Sequence, residues 1–345
     1  MVDIVKGNLL EADADALVNT VNTVGVMGKG IALQFKQAFP DNFRAYEKAV
    51  VAGEVVPGRM FVFNTGRLRP RYIINFPTKR HWRGRSRIED IRSGLEDLVR
   101  VVRNLGTQTL AVPPLGCGNG GLDWRDIRPL IESAMAEVPD VHVLLFEPSG
   151  APDNDNMHVA TKAPGMTETR AALLILLKSY ATPGYRLSLL EVEKLAFFLQ
   201  VAGQSMKLDF AKGKYGPYAE VLNHVLQNME GHYIRGYGDR SRGAAIRPLP
   251  EAIAEAEEYL GNRPETRLRL QRVIELIDGF ETPYGMELLA TVLWAARDDQ
   301  SVGCEPEAAI RAVHSWSERK RRTFSGQHVK VAWQRLTEQG WLSPA

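Results

Sequence analysis

Cysteine is scarce in this chain. Cys117 and Cys304 are the only two in 345 residues, and neither has a CxxC partner. That excludes a disulfide framework and argues against a zinc cluster. No metal and no cofactor is expected, and a reducing, cytoplasmic setting fits. Long apolar runs are also missing. The best candidate, "AALLILLKSYA", is interrupted by Lys178 before it could cross a bilayer, so no membrane association is expected. The N-terminus "MVDIVKGNLL" has no basic leader and no apolar stretch of signal-peptide length. Charge of one sign is lacking too. The formal net charge is +2, so any attraction to nucleic acid must come from local patches. The length suggests two domains, and a 44% hydrophobic content is ample for two cores.

What is present alternates. "VDIV", "DALVN", "RMFVFN", "RYIINF", "TLAVPPLG" and "VHVLLFEP" read as strands. "GIALQFKQAF", "DNFRAYEKAVVAG", "SRIEDIRSGLEDLVRVVRNLG" and "WRDIRPLIESAMAEV" read as helices. The third helix has Ile88, Ile91, Leu95, Leu98 and Val102 at helical spacing, an S-x-x-E pair in Ser86 and Glu89, and Gly106 just past its end. This alternation predicts an α/β sandwich with helices on both faces, whose ligands bind at loops beyond the strand ends.

The pattern breaks at "PSGAPDNDNMHVATKAPGMT", a linker-like stretch rich in Pro, Gly, Asp and Asn. The expected division is a first domain over 1–152, a linker over 153–166 and a mainly α-helical domain over 167–345. The helical half carries a second capping box at Ser188 and Glu191, and shows neither strong β-alternation nor a repeat. Near its end, "ERKRRTFSGQHVKVAWQRLTEQGWL" has the look of a helix-turn-helix, with Arg319 to Arg322 as possible phosphate contacts.

Two glycine-rich loops carry the chemistry. "VNTVNTVGVMGKGIALQF" sets Gly25, Gly28 and Gly30 between a strand and a helix, and "PPLGCGNGGLDW" does the same with Gly116, Gly118, Gly120 and Gly121. Helix starts offer unpaired N–H groups and a positive dipole end, so two such loops suit a diphosphate held between them. Neither matches a P-loop or the ordered GxGxxG of a dinucleotide fold. Asn19 and Asn22, beside Thr20 and Thr23, bring amides suited to sugar hydroxyls, although Asn19 can equally serve as a turn cap. A third stretch, "NFPTKRHWRGRSRIED", places Lys79 after an apparent strand and among Arg80, His81, Trp82, Arg83 and Arg85. It reads either as a solvated basic loop or as cations and aromatics interleaved for single-stranded nucleic acid.

"KGNLLEADADALVNTVNTVGVMGKGIA", together with "PPLGCGNGGLDW", resembles the macrodomain, the ADP-ribose-binding fold, over roughly residues 1–148. "MGKGIALQFKQAFP" and the "TKR" after the fourth strand are similar to the branch of the terminal ADP-ribose protein glycohydrolase. Within that branch the chain most resembles DarG-type antitoxins of DarT/DarG toxin–antitoxin pairs.

The resemblance implies a macrodomain α/β/α sandwich with a mixed sheet, followed by the helical domain. It implies hydrolytic removal of ADP-ribose from thymidine bases of single-stranded DNA, with ADP-ribose as product and a DarT-type toxin bound by the helical half. Lys79 is then the catalytic residue, as nucleophile or as general acid. Substrate contacts fall on Asn19, Asn22, Thr23, Gly28, Gly30, Ile31, Leu115, Gly116, Cys117, Gly118, Asn119, Gly120 and Leu122, and possible DNA contacts on Arg80, His81, Trp82 and Arg83. The protein glycohydrolase has an aspartate two residues after its "GCG". This chain has Gly120 there, with Asp123 three residues on, so a lysine–aspartate mechanism is in doubt. Cys117 reads as a small loop residue, with no histidine nearby in sequence to activate it. "KLAFFLQVAG" and "KYGPYAEVL" faintly resemble SocA-like antitoxin domains, and "KYGPY" is a candidate toxin contact. Two other readings remain open: a non-catalytic ADP-ribose reader, and a ligand-sensing DNA-binding regulator.

Overall fold

A computed structural model describes residues 1–150, 156–180, 185, 187–238 and 244–342. The expected domain end at residue 152, and 153–155 of the expected linker, lie outside the described residues. The chain divides into two compact units, the first running through Lys162 and the second beginning at Ala163.

The first unit is built on a six-stranded sheet: β1 (Val2–Val5), β2 (Ala16–Asn22), β3 (Phe61–Asn64), β4 (Tyr72–Lys79), β5 (Thr109–Val112) and β6 (His142–Phe146). The spatial order is β1-β6-β5-β2-β4-β3. All neighbours are parallel except the edge strand β3, which runs antiparallel to β4. The sheet is therefore mixed, with helices α1 (Ile31–Ala38), α2 (Pro40–Val51), α3 (Ile88–Leu105) and α4 (Trp124–Met135) around it.

Period-two alternation within the strands explains the two-sided burial. Val18, Ile74, Phe76, Leu110 and Val112 share one apolar cluster with Ile91, Leu95 and Leu98 of α3 and Ile127 and Ile131 of α4. Their strand neighbours Leu17, Ile73 and Ala111 cluster with Phe35 and Ala38 of α1. Pro40 starts α2 as its first residue, where the missing N–H has no consequence. Gly106 caps α3 in the left-handed conformation, as its position suggested. The Ser86–Glu89 capping box does not form: Arg87 is the N-cap and makes no side-chain cap bond.

The second unit is mainly helical, but two small antiparallel pairs occur in it, Ala211–Gly213 with Gly216–Tyr218 and Ile234–Arg235 with Arg247–Pro248. They are too short for alternation to reveal them. "KYGPY" falls in the first of these hairpins. The Ser188–Glu191 capping box is present. The cation run does not project outward as a phosphate-binding face. Arg319 forks onto both carboxylate oxygens of Glu287. Lys320 is wholly buried and donates to the same carboxylate at 2.8 Å and to Thr291 at 2.7 Å. Arg321 and Arg322 pair with Glu318. The sequence pattern misled because the six-residue helix Glu318–Thr323 turns two of its four cations inward.

Candidate active site

β2, β4 and β5 end at Asn22, Lys79 and Val112 on the same side of the sheet, because they run parallel. Three loops leave from these ends: Thr23–Gly30, Arg80–Arg87 and Pro113–Asp123. In parallel sheets this carboxyl edge is where ligands bind.

Lys79 is the last residue of β4, not the first residue after it, and pairs in register with Asn22 across an irregularity in β2. Its Nζ donates to the carbonyl of Trp82 at 3.0 Å and to that of Asn119 at 2.9 Å. One half-buried ammonium thus ties the basic loop to the second glycine loop. Burial holds its pKa below the ordinary lysine value. With two of its bonds directed at carbonyls, a tetrahedral nitrogen has one position left: an N–H in the ammonium, a lone pair in the amine.

The first loop is organised by Asn22. Its side-chain oxygen accepts from the N–H of Val24 and of Val26, and its Nδ2 donates to the carbonyl of Val26. Tyr46 of α2, fully buried, donates its hydroxyl to the Asn22 carbonyl, and burial pushes that phenol's pKa upward. Both ends of the Asn22 amide serve the loop, so the side chain shapes the backbone beside the expected sugar site. Asn19 lies deeper. It is wholly buried, donates to Asn75 at 2.9 Å, and joins an amide cluster that continues to Asn42. Its side-chain oxygen is buried without a hydrogen-bond partner. Thr23 ties the loop to β4, its N–H donating to the Lys79 carbonyl and its hydroxyl to that of Arg80.

The two glycine loops meet. Gly30 is the N-cap of α1 with φ 62°, and a Cβ built there would lie 2.9 Å from the amide nitrogen of Asn119. Ile31 opens α1, while Gly28 and Gly30 are half-buried at the approach to it. In the second loop Leu115 and Gly116 are buried, and Gly118 and Asn119 are exposed. Backbone bonds from Leu122 to Gly116 and from Gly121 to Gly118 close the turn. A Cβ at Gly118 would meet nothing within 4 Å, so that position is open. Gly120 is the opposite case. A Cβ there would lie 2.2 Å from the Ser86 hydroxyl and 2.3 Å from the Gly116 carbonyl. The chain therefore has no room for an acid at this point of the loop. Asp123 does not take its place: it caps α4, accepting from the N–H of Arg125 at 2.9 Å. Cys117 is no activated nucleophile, because burial, reinforced by the charge of Asp123, pushes its thiol up to about 11.

The cationic loop is more ordered than a solvated run. Arg80 forks onto Asp90. His81 stacks on Trp82 with centroids 5.6 Å apart, and the Arg83 guanidinium lies 4.4 Å from the Trp82 ring centre. A base stacking on Trp82 has to share or displace these neighbours. Sequence reasoning missed Tyr46, Ser86 and Asp90, each of which supports the site from a distance in the chain. Asp90 had one signal, an acid in the first turn of the helix that follows a basic run.

A macro domain family model matches residues 18–131. A DNA ADP-ribosyl glycohydrolase of Thermus aquaticus is 49% identical over all of this chain and 95% of its own length. Another, from Mycobacterium tuberculosis, is 42% identical over 97% of this chain and 99% of its own. A fusion protein of Thermosipho africanus, named as a DNA ADP-ribosyl transferase joined to a DNA ADP-ribosyl glycohydrolase, is 34% identical over 38% of each chain.

Proposed function

The chain belongs to the DNA ADP-ribosyl glycohydrolase family, and from that premise we propose that it is an antitoxin that removes ADP-ribose from thymidine bases of single-stranded DNA and also binds the transferase that attaches it. It is a hydrolase. The bond to be broken joins a base nitrogen to the anomeric carbon of the distal ribose. Its electrons leave with the base, water supplies the new oxygen on the sugar, and a proton returns to the base.

The observation that carries the site assignment is the convergence on Lys79 Nζ of two carbonyls from different loops, with one bonding position of the nitrogen left over. As an ammonium, Lys79 donates its remaining proton to the departing thymine. As an amine, it attacks the sugar carbon as the bond to the base breaks and its electrons leave with the base, and water then hydrolyses the lysine–sugar adduct to free ADP-ribose and the amine. A thymine imide is a tolerable leaving group, so a modest donor suffices. The diphosphate is held by backbone N–H groups of the two glycine loops, around Gly28, Gly30 and Ile31 on one side and Leu115 to Leu122 on the other. Trp82, His81 and Arg83 are assigned to the DNA strand, on the strength of their stacked rings and neighbouring guanidinium.

The second unit is assigned to the toxin. The fusion relative's name joins a transferase and a glycohydrolase in one protein, which supports a DarT-type partner for this chain. Among the described residues no helix is long and apolar enough to cross a membrane, and a cytoplasmic location suits both partners.

Incubation with an ADP-ribosylated single-stranded oligonucleotide tests the reading. Release of free ADP-ribose is expected. Retention of the modified strand without release indicates a reader, and selective binding of an unmodified duplex indicates a regulator. For the second unit, the full chain with Lys79→Ala should still capture the toxin, and capture by the first unit alone would reverse that assignment.

A further inference from the structure

We propose that Asp90 and Arg80 form a positioning pair for Lys79, and that Arg80 serves the reaction through this pair and not through a phosphate. The inference rests on the reading of Lys79 given above. It starts from a mismatch in exposure. The Asp90 side chain is 9% exposed and that of Arg80 59%. A pair so open on one side contributes little stability, yet its geometry is a fork, with Nε to one oxygen at 3.2 Å and Nη2 to the other at 3.0 Å. Bidentate pairing fixes orientation as well as distance.

What it orients is the segment following Lys79. Arg80 is the next residue in the chain, and its carbonyl receives the Thr23 hydroxyl at 2.7 Å. Two residues further on, the Trp82 carbonyl accepts from Lys79 Nζ. At the far end the Ser86 N–H donates to the Gly120 carbonyl at 3.0 Å, beside the Asn119 carbonyl that is the second acceptor of Lys79. The segment is thus stapled at both ends, and the two acceptors of the lysine sit between or beside the staples. Asp90 is a rigid anchor. It lies in the first turn of the 18-residue α3, whose Ile91, Leu95 and Leu98 are buried in the core. Side chains locked by such supports hold a reacting group within the narrow tolerance catalysis needs.

Without the fork the segment keeps its two staples but loses the side-chain anchor beside Lys79, so the Trp82 carbonyl shifts and the lysine is aimed less tightly. A misplacement of about 1 Å can cost about 10²-fold in rate. The backbone N–H groups of the glycine loops are untouched, so product affinity should not change.

The test uses the full chain and an ADP-ribosylated single-stranded oligonucleotide, with Lys79→Ala measured alongside. Asp90→Asn should lower kcat by about tenfold to 10²-fold, with KM and ADP-ribose affinity close to the parent values. Arg80→Ala, a change at an exposed side chain, should reproduce this split, and it decides the matter if Asp90→Asn fails to fold. If Lys79→Ala is slow while Arg80→Ala and Asp90→Asn turn over at the parent rate, the positioning role is overturned and the reading of Lys79 stands. A rise in KM at unchanged kcat for Arg80→Ala returns Arg80 to direct DNA contact. Should Lys79→Ala itself cleave at the parent rate, the reading fails first and the inference with it.

Discussion

Lys79 donates to the main-chain carbonyl of Asn119 at 2.9 Å, across 40 residues of chain. The contact brings the end of β4 against the second glycine loop, so the proposed reacting group and the proposed diphosphate cradle share one geometry. A carbonyl acceptor cannot be removed by mutating a side chain, which places the burden of any test on the lysine.

Lys79→Ala should remove most de-ADP-ribosylation while ADP-ribose still binds: the second glycine loop loses its hydrogen bond to the lysine, but the backbone N–H groups proposed to hold the diphosphate are retained. Loss of a proton donor or nucleophile costs a factor of about 10² to 10⁴. Lys79→Arg should fail as well, because guanidinium is a poor nucleophile and does not give up its proton. Single-turnover rates with calorimetry on the same samples separate the two effects. Cleavage at the parent rate by Lys79→Ala would reduce Lys79 to a structural cation.

The pH dependence of kcat distinguishes the two roles of that nitrogen. Burial keeps the ammonium's pKa below the usual lysine value. A general acid must be protonated, so the rate falls as pH rises through this lowered pKa. A nucleophile must be neutral, so the rate climbs over the same interval. Two carbonyl acceptors favour the cation, and the falling limb is the expected result. The limb should vanish in Lys79→Ala.

Gly118 and Gly120 should behave differently despite being two residues apart. Gly118→Leu has open space at its Cβ. It should fold with an unchanged melting temperature and lose ADP-ribose, because a side chain there would occupy the space proposed for the diphosphate. Gly120→Ala meets the Gly116 backbone and the Ser86 hydroxyl. It should melt earlier, as overpacking typically costs about 1–3 kcal/mol. Gly120→Asp is then no route to the acid of the protein glycohydrolase. A well-folded, faster Gly120→Asp enzyme would contradict this.

The first unit should be excised after Lys162. Met157 is 4% exposed, and the N–H of Ala160 donates to the Gln37 carbonyl at 2.8 Å. A fragment ending at 152 forgoes both contacts. The 1–162 fragment should therefore unfold at a higher temperature than 1–152, and equal melting curves would show that the extra residues add nothing.

Glu287→Gln should destabilise the second unit. It leaves Lys320 buried without its counter-charge, a situation that typically costs about 3–5 kcal/mol. Burial already pushes Lys320 down to about 8, opposed by Glu287. A double change, Glu287→Gln with Lys320→Met, should recover much of the loss in denaturant titrations. No recovery would mean that the carboxylate acts mainly through Arg319.

Local patterns were enough for much of the fold. Alternation and periodicity along the first 150 residues locate the six strands and the four helices, because each depends on neighbours within a few positions. The glycines of the two loops were equally legible, since their demand is made by the backbone itself. Pairwise closure was not. Asn19 and Asn22 look alike in sequence as amides at the start of the first glycine loop, yet the first is buried against Asn75 and the second is spent on its own loop. Arg80 and Arg319 look like exposed cations until Asp90 and Glu287 arrive from other helices. Ser86 looks like a helix cap until the Gly120 carbonyl claims its N–H. What the sequence by itself determined is the layered α/β unit and the residue types at its loops, as these follow from short-range sterics and burial. Which polar groups are left free to act was decided only in three dimensions, because a buried donor or charge must find its partner wherever in the chain the fold supplies one.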